Sequence, residues 1–373
     1  GNLRHPLVDT DQFVLVRASV LSDHIVKSEN QIGCTVTPTP QQQARSITLR
    51  GYPGEWPEVW CGNSTDNDAT PTAGQCPNTA LNPRNNTSTI FRIGPASNKY
   101  RNNYHVRNIH FHGKRETAGG DYIFAETILD FTGNGTGHSV RFCKFTDCQP
   151  MRPDDADAAA NPQYVDFAFD ARGGDSSFTA IKGTSTGLVL DSNYIQPAPA
   201  GFPLPLTDET GLLGFTVTLD GTDQRFTRNR IEGRNIRSPL RLSSCTRPYV
   251  ADNSIEAPYY KIIFCFECTD PIIERNYLYG NGGLANAAEA AGLDLAGSNG
   301  AIVRYNVIWV NETIIDGATC ILARPGETTA GNVDLFDDAH IYGNILFGAG
   351  LTIGYTGGWD DADTTLDDVQ NLV

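Results

Sequence analysis

The chain has 373 residues and a formal net charge of −15, with 30 Asp against 6 Lys. That balance excludes a basic nucleic-acid footprint and repels polyanions except at local Arg clusters. No apolar run approaches the roughly 18 residues of a membrane span, and no signal-like apolar stretch follows Gly1, as a mature or trimmed chain would read.

The first 60 residues hold short alternating apolar segments, "DQFVLVRASVLSDHIVK" and "RSITLRGYPGEWPEVWCG". A Cys-containing insertion follows at 61–88. Regular spacing begins at "NNYHVRNIHFHG", residues 102–113, and from there one pattern recurs. An apolar residue, two arbitrary residues, Asn, one more residue and an apolar residue occur at Leu190–Ile195, Phe226–Ile231, Val250–Ile255, Ile273–Leu278, Val303–Ile308 and Ile341–Leu346. Val106 with Phe111, and Val140 with Phe145, keep the apolar ends without the Asn. The Asn residues, 193, 229, 253, 276, 306 and 344, are spaced by 36, 24, 23, 30 and 38. A basic period near 23 with variable insertions marks a solenoid.

Upstream of each Asn lies a second short alternating segment, such as Leu129-Asp130-Phe131, Leu240-Arg241-Leu242 or Leu293-Asp294-Leu295. Period-two alternation turns the apolar residues to one face. Strands this short, separated by turns and repeated every 23 or more residues, predict a coil of parallel strands. The Asn is expected at the corner, as a residue tolerant of left-handed backbone. Stacking at about 4.8 Å lets the side-chain amides hydrogen-bond in a ladder.

The N-terminal segments and the 102–113 coil resemble the opening coils of secreted right-handed parallel β-helix proteins of the pectate-lyase-like superfamily. The resemblance implies an all-β fold, a right-handed parallel β-helix of about nine to eleven coils. One domain is expected over 1–373: N-terminal coils at 1–60, the insertion at 61–88, and regular coils with insertions at 89–373, the coils continuing beyond 373. The resemblance also implies a substrate cleft along the strand that precedes the Asn-bearing corner. The fold hosts many chemistries, so function is argued from side chains.

Counting back from each Asn turns Arg92, Asp130, Lys182, Thr218, Arg241, Phe264, Asp294 and Asp334 to the outer face of that strand. Arg241, Phe264 and Asp294 each fall 12 residues before their Asn and should stack on consecutive coils. Short connections at 231–240 and 255–262 lie between long ones near 145–180, 195–215 and 308–333, which leaves a groove floored by Arg241 and Phe264. An aromatic face beside a guanidinium and carboxylates suits an acidic sugar. A lyase reaction on a uronic acid needs a base and a cation for the carboxylate, for which Lys182 and Arg241 are the candidates, with Arg237, Asp130 and Phe264 binding substrate. "RSPLR" (237–241) faintly resembles the Arg-x-Pro-x-x-Arg element of pectate lyases, without the rest of their motif. A glycosidase needs two carboxylates about 5–9.5 Å apart, for which Asp294 and Asp334 are the candidates; the characteristic elements of polygalacturonases are absent.

Clustered carboxylates at 154–157, 360–363 and Asp337-Asp338 can hold calcium, although solvated acidic loops are the leading expectation and no cofactor is assigned. His110 and His112 alternate on one strand with no third ligand at a suitable spacing, so no metal site is expected. Nine Cys and five sequons, at Asn63, Asn85, Asn86, Asn134 and Asn311, point to a secreted, extracellular glycoprotein. Equal offsets from the corner Asn predict a Cys245–Cys268 disulfide across adjacent coils, with Cys265 a buried free thiol. Cys143–Cys148 and Cys61–Cys76 are the local pairs expected. The expected partner is a polysaccharide, either bound alone or bound and cleaved; the alternative is a non-catalytic scaffold, adhesin or fibre subunit that self-associates end to end, "VQNLV" at 369–373 reading as the start of another coil.

Overall fold

The structure is a computed structural model. It describes residues 44–61, 102–112, 135–146, 179–196, 213–232, 236–257, 261–280, 291–310, 319–324 and 338–348, with Pro40 and the strand segments 12–16, 24–26, 30–32, 89–93, 114–116, 122–124, 127–131, 326–327, 333–334 and 351–353.

Three ten-stranded sheets account for nearly all of it, and the chain visits them in rotation. Sheet I holds strands such as Val189–Asp191, Arg225–Thr227, Tyr249–Ala251 and Ile272–Glu274. Sheet II follows, with Glu58–Cys61, His110–His112, Lys144–Thr146 and Tyr277–Gly280 among its strands. Sheet III closes each coil with strands such as Thr127–Phe131, Ile236–Ser243, Lys261–Phe266 and Ala291–Ala296. Pairing within each sheet is parallel, each strand lying against its counterpart one coil away. This is a parallel β-helix. Two antiparallel hairpins stand outside the coils, Lys114–Glu116 with Tyr122–Phe124, and Gly326–Glu327 with Val333–Asp334.

The core follows from period two. Leu190, Phe226, Val250 and Ile273 from sheet I, Ile195, Ile231, Ile255 and Leu278 from sheet II, and Leu219, Leu242, Cys265 and Leu295 from sheet III are all buried. Burying one such aliphatic side chain contributes about 1.5–3 kcal/mol. Successive coils repeat the contribution along the axis.

At the corner between sheets I and II, the left-handed residue is the one before the Asn. Ser192, Arg228, Asp252, Arg275 and Tyr305 have φ of 56°, 54°, 59°, 54° and 57°, and Gly343 has 63°. The Asn itself points inward and links the coils. Asn193 Nδ2 donates to Asn229 Oδ1 at 3.0 Å, Asn229 to Asn253 at 3.2 Å, Asn253 to Asn276 at 2.8 Å, Asn276 to Asn306 at 2.9 Å and Asn306 to Asn344 at 2.9 Å. Each Oδ1 also accepts the backbone N–H of the preceding Asn, as Asn253 Oδ1 does from Asn229 at 2.8 Å. Left-handed backbone costs a non-glycine residue about 1–2 kcal/mol. Two corner arginines make compensating ion pairs across one coil, Arg228 Nη2 with Asp191 at 2.7 Å and Arg275 Nε with Asp252 at 2.8 Å.

Cys143 occupies the ladder position one coil before Asn193, and its backbone N–H donates to Asn193 Oδ1 at 3.0 Å. It is a free, buried thiol. Its Sγ contacts Arg141 O at 3.5 Å, and burial pushes the thiol up to about 12. The expected Cys143–Cys148 bond is therefore corrected: the corner turns Cys143 into the coil. Cys245 and Cys268 do occupy equivalent turns on adjacent coils, but both are free. Their Sγ atoms reach back to carbonyls of the preceding coil, Leu219 O at 3.2 Å and Leu242 O at 3.6 Å, and Ser298 takes the next place with its Oγ on Cys265 O at 3.4 Å. The position carries a hydrogen-bond ladder that serine fills as well as cysteine, and this replaces the expected disulfide. Cys265 is buried and free. Cys148, Cys76 and the five sequons lie outside the described residues, as does the Cys61 side chain.

Candidate functional site

The outer face of sheet III carries a row of side chains in strict register. Asp130 pairs with Lys182, Lys182 with Thr218, Thr218 with Arg241, Arg241 with Phe264, and Phe264 with Asp294. Arg92 pairs with Asp130 at the other end. Each step is one inter-strand spacing, about 4.8 Å. Inward Leu240 and Leu242, Ile263 and Cys265, and Leu293 and Leu295 flank the outward members, and this sets their direction. Connections between sheets II and III fall at 147–178 and 197–212 on one side and 281–290 and 311–318 on the other. Beside Arg241 and Phe264 they shrink to 233–235 and 258–260.

Phe264 is the aromatic member of the row. Arg241 Cζ lies 5.9 Å from its ring centroid and Lys261 Nζ lies 4.3 Å from it. Phe266 follows on the same side, with ring centroids 5.8 Å apart. Lys261 reaches this face because Ile262 and Ile263 are consecutive core residues, which breaks the alternation between them. The cations on this ring gain from its quadrupole. The arrangement presents a partly exposed aromatic face with the Arg241 guanidinium beside it, while Lys261 lies buried beneath its edge.

Asp294 stands where the sequence register puts it, yet it is fully buried. Lys261 Nζ lies 2.6 Å from its Oδ2, and Arg324 reaches both oxygens, with Nη2 3.0 Å from Oδ2. A carboxylate held by two cations away from solvent anchors structure and does not offer itself to substrate. Asp334 is off the row. It pairs with Gly326 in a hairpin, and the register partner of Asp294 on the next coil is Leu322. The carboxylate pair expected for a glycosidase is thus not formed by neighbouring strands of this sheet, because an inserted hairpin displaces the segment holding Asp334. Asp130 is buried and Lys182 is exposed. Arg237 lies on the Ile236–Ser243 strand. The acidic clusters at 154–157 and 360–363 lie outside the described residues.

A second feature escapes the sequence reading. On the outer face of sheet II, Tyr277, Trp309, Ile345 and Phe347 are 44–54% exposed. Tyr279 and Trp309 make an edge-on contact at 5.1 Å, and Trp309 lies 6.4 Å from Phe347. The signal was present: these residues flank Leu278, Ile308 and Leu346, the apolar residues that follow each corner Asn.

The three parallel sheets define the fold class, that of parallel β-helix proteins. No protein-family model matches the sequence, and no curated protein matches it. Among solved structures, the chain is similar to the A-module of mannuronan C-5 epimerase AlgE6 from Azotobacter vinelandii, at 10% identity and TM-score 0.46, over 93% of this chain and 86% of that one. It is also similar to DFA-IIIase from Arthrobacter chlorophenolicus A6, at 13% identity and TM-score 0.47, over 88% of this chain and 63% of that one. A mannuronic acid specific polysaccharide family 6 lyase from human gut microbiota gives 13% identity and TM-score 0.45, over 93% of this chain and 73% of that one. These likenesses concern the course of the chain; the chemistry is read from the side chains. No helix among the described residues is long and apolar enough to cross a membrane.

Proposed function

We propose that the protein binds an acidic polysaccharide along the outer face of sheet III and acts on it by proton abstraction next to a uronate carboxylate. The observation that carries the reading is the uninterrupted register Lys182, Thr218, Arg241, Phe264. Phe264 supplies a face on which a sugar ring stacks, and Arg241 beside it suits a carboxylate. Neutralising that carboxylate stabilises the charge that develops when the neighbouring carbon loses its proton. Lys182, two coils from Arg241, is the candidate base. With Asp294 buried between cations and Asp334 off the row, the lyase-like reading is favoured over the glycosidase-like one.

The test is a panel of acidic and neutral polysaccharides, followed by binding, by absorbance of unsaturated products and by reducing ends. Acidic polymers are expected to bind, Arg241→Ala to abolish binding, and Phe264→Ala to weaken it by about 1–3 kcal/mol, the scale of base stacking on aromatics taken by analogy. Equal binding of neutral glucans, or unchanged binding by both variants, refutes the reading. Secretion and glycosylation belong to the same proposal and rest on the five sequons. Mass spectrometry of protein from a eukaryotic secretory host tests them.

One observation favours the second reading, a non-catalytic scaffold. The exposed aromatic stripe on sheet II is a surface that association would cover. Sedimentation of the wild type and of Trp309→Ser separates the two: a concentration-dependent oligomer lost in the variant supports the scaffold.

A further inference from the structure

Away from the sheet III row, three residues from two coils meet on the outer face of sheet II. Glu58 and His110 are register partners, with Phe111 and Val59 turned inward behind them. His112 lies two residues along the same strand, outward again. His110 Nδ1 is 3.6 Å from Glu58 Oε1, and His112 Nε2 is 3.8 Å from Glu58 Oε2. One ligand atom from each residue lies within 4.8 Å of the others. The two imidazoles face each other with centroids 3.9 Å apart.

The far sides of both rings are held by one hydroxyl. Thr146, from the next coil, places Oγ1 3.0 Å from His110 Nε2 and 3.1 Å from His112 Nδ1. A hydroxyl oxygen can accept two hydrogen bonds. If both rings donate to Thr146, each carries its proton on the Thr side and turns a lone pair toward Glu58. That is the arrangement of metal-binding histidines, whose second ring nitrogen is fixed by an outer partner.

We propose that Glu58, His110 and His112 bind a zinc ion. Two imidazole nitrogens and a carboxylate oxygen form a recognised zinc donor set, and nitrogen donors disfavour calcium and magnesium. Bonds of about 2.0–2.2 Å put neighbouring donors of a tetrahedral zinc roughly 3.3–3.6 Å apart. The two contacts use different Glu58 oxygens, and with one donor atom per residue the set spans up to 4.8 Å. Zinc therefore needs the donors to draw together by about 1 Å, a movement open to the Glu58 side chain, which is 45% exposed. Lys144 is the next outward residue in register with His110, and its Nζ is drawn over the Trp56 ring at 4.9 Å. The ion joins two coils, Thr146 supports it from a third, and three protein donors leave one position for water or an added ligand.

The full chain, stripped with a chelator and exchanged into metal-free buffer, is titrated with Zn(II) against a chromophoric competing chelator. One tight equivalent is expected. Glu58→Gln and His110→Gln are expected to lose it, and Thr146→Val to bind 10- to 100-fold more weakly. Melting in chelator checks folding: Glu58→Gln should match wild type there, while zinc raises the melting temperature of wild type alone. X-ray absorption at the zinc edge should show two imidazoles. Absence of a stoichiometric equivalent in wild type, or equal binding by the Glu58 and His110 variants, overturns the proposal.

Discussion

Replacing Asn253 with Ala tests the ladder at a buried rung in its middle. Asn253 Nδ2 donates to Phe226 O at 2.9 Å and to Asn276 Oδ1 at 2.8 Å, and its Oδ1 accepts from Asn229 N at 2.8 Å and Asn229 Nδ2 at 3.2 Å. The residue is 2% exposed, so water does not replace what is lost. Asn229 Nδ2 keeps its bond to Leu190 O, and Asn276 Oδ1 keeps the Asn253 N–H. The Asn229 backbone N–H and the Phe226 carbonyl lose the partners described. At about 1–3 kcal/mol for each buried group deprived of its partner, the variant should lose roughly 3–5 kcal/mol. Asn344, the partly exposed last rung, makes the same kind of bonds to Val303 O and from Asn306, and Asn344→Ala should cost about 1–2 kcal/mol. Urea unfolding followed by far-UV circular dichroism and fluorescence gives both values from the midpoint shift at constant slope. A loss below 1 kcal/mol for Asn253→Ala, or equal losses at the two sites, refutes the assignment of coil cohesion to the ladder.

Asp294→Ala leaves Lys261 and Arg324 buried without their shared carboxylate and should cost about 3–5 kcal/mol; lost polysaccharide activity at unchanged urea midpoint would instead return Asp294 to the chemistry. Burial, with the nearby His105 charge, lowers His138 to about 4, and its Nδ1 accepts the Tyr104 N–H at 3.1 Å. Its folded value lies below the unfolded value of about 6.5, so its contribution is full above that pH and lost as pH falls toward 4, about 3 kcal/mol in all. His138→Gln should flatten the melting-temperature profile in that window, and an unchanged slope counts against it. Hydrogen bonding with Cys268 and burial hold the Cys245 and Cys265 thiols well above their ordinary range. Peptide mapping without reduction should therefore find all of Cys143, Cys245, Cys265 and Cys268 unlinked, and a Cys245–Cys268 peptide would contradict the thiol ladder.

The sheet III row was legible because period two and a fixed offset from the corner Asn both constrain it, and Lys182, Arg241 and Phe264 stand where that counting puts them. Asp334 was misplaced because an inserted hairpin breaks the count between Leu322 and the corner at Asn344. The backbone role of the Asn was misread by one residue: amide chemistry suits both a left-handed turn and a buried ladder, and only geometry tells that Arg228 or Tyr305 takes the turn. Burial of Asp294 was hidden because alternation gives a side chain's direction, not what covers it. The histidine site was missed because its third member comes from the previous coil, across the 61–88 insertion. Aligning "EVW" with "HFH" one coil on would have found it.

From the third coil onward, the junction of sheets I and II is always two residues long, a left-handed residue and the ladder position, as at 108–109, 142–143, 228–229 and 305–306. Between sheets II and III the connection ranges from three residues at 233–235 to the whole of 147–178. The molecule therefore has a spine and an open edge. A residue added at the spine would put the next Asn out of reach and split the stack into two shorter ones, whereas a loop added at the open edge crosses no ladder. A lineage altering such a chain by insertion and deletion could reshape the walls of the groove freely while its binding margin stayed fixed to the residue.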